Sequence, residues 1–187
     1  RGHLVKVVHV TPHMSSGLAS VLLNTVKQQS KSKSGVQHES LCLDHLSDDQ
    51  NVRNRFEKYS SKIIEKPSPA MLEQILSGAD VVQLEWWNHP VIYDFLINFD
   101  LPRCRLVVVS HVSGLYRPQL LQEQVVRYAD VFVATTKASK KQQIFKDNPA
   151  LLRKVTFVNY PIDLDRFTYE TVRNTREFNV GYVGTVN

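Results

Sequence analysis

Four segments of the 187-residue chain hold residues whose types and spacing suit chemistry, and each follows a run of β-branched apolar residues. The first, Thr11-Pro12-His13-Met14-Ser15-Ser16-Gly17, leads into a helical pattern. The free N–H groups and dipole of a helix start suit a phosphate or another anion, although an N-cap and turn explains Ser16 and Gly17 as well. The second, Gln83 to Pro90, contains Glu85, Trp86, Trp87, Asn88 and His89. Adjacent indoles offer apolar faces with polar handles, as sugar and base sites do; at most one of Trp86 and Trp87 faces a ligand, and packing accounts for the other. The third, Ser110-His111-Val112-Ser113-Gly114, puts a histidine just past a buried run, placed to bond a ligand hydroxyl or phosphate, to act as a base, or to pack at a sheet edge. The fourth position comprises the hydroxyls of Thr135 and Thr136 and the segment Tyr160-Pro161-Ile162-Asp163, with a helix cap as a sufficient role for Thr136.

Other chemistries lack their residues. Neither GxGxxG nor the Walker Gly-Lys-Ser/Thr occurs, and no His, Cys, Asp and Glu grouping has metal-site spacing. His9, inside the first apolar run, reads as structural, and His13 stays open between site and scaffold. Only two cysteines occur, Cys42 and Cys104, both in or beside apolar runs, which excludes a disulfide scaffold and suits reduced thiols.

The elements that position these segments alternate along the chain. Apolar runs at Leu4 to Val10, Val36 to Leu43, Lys62 to Ile64, Val81 to Leu84, Arg105 to Ser110, Val131 to Ala134, Val155 to Asn159 and Asn179 to Val183 read as strands. Several are continuously apolar, as strands covered on both faces are. Between them lie helical patterns: Leu18, Val21, Leu22, Thr25 and Val26 behind Ser15-Ser16, and Pro69, Leu72, Ile75 and Leu76 behind Ser68. Thr136 is expected to cap a helix carrying Lys137, Lys140, Lys141 and Lys146, and Gln29 to Gly35 to be a polar connector. The expected fold class is α/β, a doubly wound, mainly parallel, Rossmann-like sheet. In such sheets ligands bind beyond the carboxyl ends of the strands, where the four segments fall. One unit is expected over 1–167; 168–187 reads as a linker and the opening strand of a truncated second domain.

Composition is that of a globular protein, 42% hydrophobic and 22% charged, which excludes a disordered or collagenous chain. The net charge of +5 is uneven, −1 over residues 1–100 and +6 over 101–187. The second half is therefore expected to face anions. No run approaches the ~18 apolar residues of a membrane span and no signal peptide is visible, so a cytoplasmic location is expected. The lysine-bearing helix is a candidate for peripheral contact with anionic lipid, or a solvated face. No DNA-binding motif is present, and no nucleic-acid partner is expected.

In order along the chain, Val7-Val8-His9-Val10-Thr11-Pro12 with Ser16-Gly17, Ala79-Asp80-Val81-Val82-Gln83-Leu84, Arg105 to His111, Tyr128 to Thr136, Val158 to Phe167 and Val180 to Gly184 resemble the N-terminal domain of GT-B glycosyltransferases of the group 1 or family 4 kind. The departures are Ser16 where the family commonly has a second glycine, Tyr160-Pro161 in place of Asn-Gly, and Gln83 where a histidine is usual.

The resemblance implies the acceptor-side half of a transferase that moves a sugar from a nucleotide-sugar donor to a glycan or lipid-linked acceptor. It implies retention and independence of metal and of organic cofactor, the donor being held by a second domain with paired glutamates. Carried over by position, Ser16 and Gly17 meet the donor diphosphate and His111 is the candidate catalytic residue, orienting the donor sugar. Trp86, Asn88 and Thr135 join them as candidate substrate contacts. The alternatives are a non-catalytic module of the same fold that binds a glycan or a partner subunit, and a nucleotide-binding Rossmann domain, which the missing glycine fingerprint weakens.

Overall fold

A computed structural model describes residues 4–14, 16–32, 35–46, 48–60, 62–167 and 181. Strands β1 (Val5–His13), β2 (Val36–His45), β3 (Lys62–Glu65), β4 (Val81–Trp86), β5 (Arg105–Ser110), β6 (Val131–Ala134) and β7 (Val155–Phe157) form one sheet in the order 3-2-1-4-5-6-7. Every pairing is parallel. The fold is the expected doubly wound α/β architecture.

Helices cover both faces. Alternation along the strands sends Val8, Val10, Leu41, Val82, Leu84 and Trp86 to one side, against Leu72, Ile75 and Leu76 of α3 (Pro69–Ser77), Ile92 and Phe95 of α4 (Pro90–Asn98), and Val125 and Val126 of α5 (Glu123–Tyr128). The other side packs Ala19, Leu22, Leu23 and Val26 of α1 (Ser16–Lys31) and Phe56 of α2 (Gln50–Tyr59) onto Cys42 and Met14. Side chains cap several of the helix starts. Ser68 accepts from Met71 N with Pro69 behind it, and Asp49 accepts from Asn51 N to open α2.

Several boundaries differ from the sequence reading. Strand β1 runs on to His13, because Thr11 still pairs with Cys42 and His13 with His45; the register shift between them falls at Pro12, which has no N–H to give a ladder. Strand β4 runs on to Trp86, with Glu85 opposite Val109 and Trp86 opposite Ser110. Helix α1 extends to Lys31, into the expected connector. The basic helix is not one helix: Lys137, Lys140 and Lys141 lie on a 3-10 turn that Thr136 caps, and Lys146 lies on the separate α6 (Gln143–Asp147). Extended backbone at Gln142 breaks the two, with its side chain donating to Ser113 O at 2.6 Å.

Residues Pro161 to Phe167 return to α1, where Lys27 meets Asp163 at 2.7 Å and Lys31 meets Asp165 at 2.8 Å. The expected linker and opening strand of 168–187 lie outside the described residues, Gly181 excepted. Among the described residues no helix is long and apolar enough to cross a membrane.

Candidate functional site

The strand order reverses between β1 and β4: the chain works outward to β3 on one side of this pair and to β7 on the other. Beyond the carboxyl ends of such a pair the flanking connections diverge and leave a crevice. His13 ends β1 here, Glu85 and Trp86 end β4 with Trp87 just after it, His111 follows β5, and α1 starts three residues after His13.

The centre of the site is a carboxylate inside the sheet. Register puts His9, His38, Gln83 and Glu85 on the face that α1 covers: His9 lies opposite Ser40 and Gln83, Val7 opposite His38, and the alternation does the rest. Glu85 is 2% exposed. Its Oε2 accepts from His111 Nε2 at 2.6 Å, and its Oε1 accepts from Gln83 Nε2 at 2.6 Å and meets His9 Nδ1 at 3.4 Å. Burial alone pushes a carboxyl up, but the bonds from His111 and then His9 outweigh it and hold Glu85 below the usual carboxylate range. Glu85 is a buried anion, with imidazoles as its ionisable contacts.

His111 is fixed at both ends. Its backbone N–H continues the ladder to Trp86 O at 2.9 Å, and Nδ1 lies 3.1 Å from the hydroxyl of Tyr160, whose ring stacks on the imidazole at 5.7 Å. Thr135 follows β6 nearby; its hydroxyl donates to Ser110 O at 3.3 Å. Burial pushes the Tyr160 phenol up, keeping it a neutral hydroxyl.

A ring cluster lines the rest. Trp87 stands edge-to-face with His13 at 5.1 Å, His89 at 5.7 Å and His111 at 6.2 Å, and His13 with His89 at 5.3 Å. His89 also caps α4 through Nδ1. Burial, then His89, lowers the His13 pKa against the opposing pull of Asp44, so His13 serves as a neutral aromatic wall.

The structure brings His111, Thr135 and Gly17 to the same sheet edge and redirects two other candidates. Trp86 is a correction: it is 0% exposed, because its place on the strand turns it into the core, and Trp87 is the indole that meets His13, His89 and His111. Asn88 spends its polar groups on the loop after β5; its N–H donates to Gln119 Oε1 at 3.0 Å and its amide to Pro118 O. Ser16 is the first residue of α1, Ser15 lies outside the described residues, and Gly17 is exposed, with no atom within 4 Å of where a Cβ would stand. Gly114 is structural: at φ +70° a Cβ would meet Gln142 Nε2 at 2.6 Å and Leu121 Cβ at 2.8 Å. Glu85 and Tyr160 enter the sequence reading only as parts of their segments, without a role, while Trp87 is the second of the two indoles weighed there. The signal for Glu85 was the period-two alternation Val82, Leu84, Trp86, which makes Gln83 and Glu85 strand residues facing the other way. Among the described residues no group of three or more His, Cys, Asp or Glu could hold a metal ion.

No known family's sequence model matches the chain, and no curated protein matches it in sequence. Solved structures do match it in fold. A glycosyltransferase from Rickettsia africae ESF-5 superimposes with a TM-score of 0.55 at 13% identity, over 83% of this chain and 42% of that one. An alpha-glucosyltransferase solved with UDP-glucose and DNA containing an abasic site gives 0.58 at 15% identity, over 88% and 44%. An alpha-glucosyltransferase solved with UDP and a 13-mer DNA gives 0.56 at 16%, over 87% and 44%. The chain has a glycosyltransferase-like, GT-B type α/β fold and spans less than half the length of these neighbours. Two of them were solved with DNA, so the fold gives no support to the expectation that nucleic acid is no partner.

Proposed function

We propose that this chain is the acceptor-side half of a glycosyltransferase that moves a sugar from a nucleotide-sugar donor to an acceptor hydroxyl, working together with a second, donor-binding α/β unit. The observation that carries the reading is His111 held by a buried carboxylate at the crevice where the sheet reverses, beside the open start of α1.

In this account the donor diphosphate lies at the N-terminus of α1. Backbone N–H groups from Ser16 and Gly17 stabilise the negative charge that grows as the sugar–phosphate bond breaks, and the missing Cβ at Gly17 lets the phosphate approach the backbone. His111 bonds the transferred sugar, Tyr160 and Thr135 complete that wall, and the face of Trp87 excludes water beside it. The charge of the leaving group is met by amide dipoles, so the reading includes transfer with no metal and no cofactor besides the donor, and retention at the anomeric carbon. A glycan or lipid-linked molecule is the acceptor in this reading.

The Tyr160 hydroxyl against His111 Nδ1 favours a second reading, a non-catalytic module that binds a sugar through the same crevice. One experiment separates the two. In a polypeptide that carries both halves, amide and indole NMR shifts are followed while a nucleotide sugar, and separately a free oligosaccharide, is titrated in. The transferase reading predicts shifts at Gly17, Trp87 and His111 with the nucleotide sugar; shifts with the oligosaccharide alone favour the module, and no shift at these residues with either rejects both.

A further inference from the structure

The chain of polar contacts does not stop at Glu85. His9 Nε2 lies 2.9 Å from His38 Nδ1, and the two rings stack at 5.2 Å with 24° between their planes. His9 is 1% exposed and His38 4%, both on the sheet face under α1, where strands covered on both sides normally carry apolar residues. His38 also lines a groove of about 300 Å³ with Val36, Lys58 and Ser60, away from the crevice, so this pair cannot touch a substrate bound there.

For neutral imidazoles the hydrogen-bond directions follow from the carboxylate. A carboxylate only accepts, so each group facing it must donate. His9 therefore carries its proton on Nδ1 toward Glu85, which leaves His9 Nε2 to accept from His38 Nδ1–H. His111 likewise carries its proton on Nε2. Its Nδ1 is then bare and accepts from the Tyr160 hydroxyl.

We propose that His9 and His38 are positioning residues: by fixing Glu85 from inside the sheet they fix which nitrogen of His111 carries the proton and leave Nδ1 as the lone pair offered to the crevice. Gln83 is the third support, and the chain from β2 through β1 and β4 to the loop after β5 turns sheet register into a single imidazole tautomer. The functional meaning of that lone pair rests on the transferase reading; the tautomer does not.

At 21.4 kDa the chain suits histidine-selective ¹⁵N NMR, which reports the protonated nitrogen of each ring. Wild type is expected to show His111 as a single Nε2–H tautomer and His9 as Nδ1–H. His9→Leu, which removes both bonds, is expected to lose the single-tautomer signature at His111. His9→Asn, whose amide nitrogen stands where Nδ1 was, is expected to restore it; His38→Gln is expected to weaken it. A wild-type His111 protonated on Nδ1 overturns the proposal without any variant, and so does an unchanged His111 in folded His9→Leu. Where that variant does not fold, Gln83→Leu tests the same support from a half-buried position. In the transfer assay of a polypeptide that carries both halves, His9→Leu is expected to lower kcat tenfold or more with donor KM little changed, and His9→Asn to recover most of it. Transfer absent from wild type beside the expected tautomers sinks the transferase reading alone; the tautomer results sink or sustain this one.

Discussion

Glu85 and His111 lie 26 residues apart in sequence and 2.6 Å apart in space, because β4 and β5 are neighbours and His111 extends the ladder just past the end of β5. The pair gives the first prediction. Glu85→Gln keeps the shape but removes the anion, so His111 loses its orienting partner; transfer is expected to fall by ~10² with the fold retained by circular dichroism. A variant with wild-type turnover would assign the carboxylate to the scaffold.

Gly17 separates site from scaffold. Nothing in the chain occupies the space of a Cβ there, so Gly17→Ala costs no packing and gains up to about 1 kcal/mol of helix propensity. The melting temperature is expected to hold or rise while affinity for the nucleotide sugar falls tenfold or more. Unchanged affinity would leave the glycine without a role at a diphosphate.

The two tryptophans are expected to respond in opposite ways. Trp86→Ala empties a fully buried site and is expected to cost about 3–5 kcal/mol in denaturant unfolding. Trp87→Ala removes a half-buried ring and is expected to cost less than half as much, while raising KM for substrate. Equal losses of stability would put both rings in the core.

Much of this was visible in the residues. Seven of the eight expected runs fall on strands among the described residues, and several are continuously apolar as in a sheet covered on both faces. Ser68 and Thr136 announced their caps. The site was less legible, because the apolar run of β4 ends at Leu84 when charge is the criterion, and Glu85 is a strand residue whose charge is met by histidines from β1 and the loop after β5. Those partners are 76 and 26 residues away, and only register brings them together. Tyr160 was hidden for a similar reason: it reaches His111 from beyond β7.

Acid is expected to destabilise the chain over two pH ranges. Burial, then His9, lowers the His38 pKa from 6.5 to about 4, so the unfolded chain binds the extra proton first. Its contribution is complete above pH 6.5 and is lost as the pH falls toward 4, on the order of 3 kcal/mol. Glu85, held below its ordinary 4.5, adds a further loss below that pH. Chemical denaturation between pH 7 and 4 checks this, and His38→Gln is expected to flatten the upper part of the slope. A slope unchanged in that variant would move the effect to other groups.

The most direct test of the account is turnover of a nucleotide sugar by a polypeptide in which this chain is joined to a donor-binding half, compared with its His111→Ala variant. The account predicts saturable transfer to an acceptor hydroxyl that falls by ~10² or more in the variant, with the fold retained by circular dichroism. Transfer that His111→Ala leaves intact, or no transfer from any nucleotide sugar with both halves folded, contradicts it.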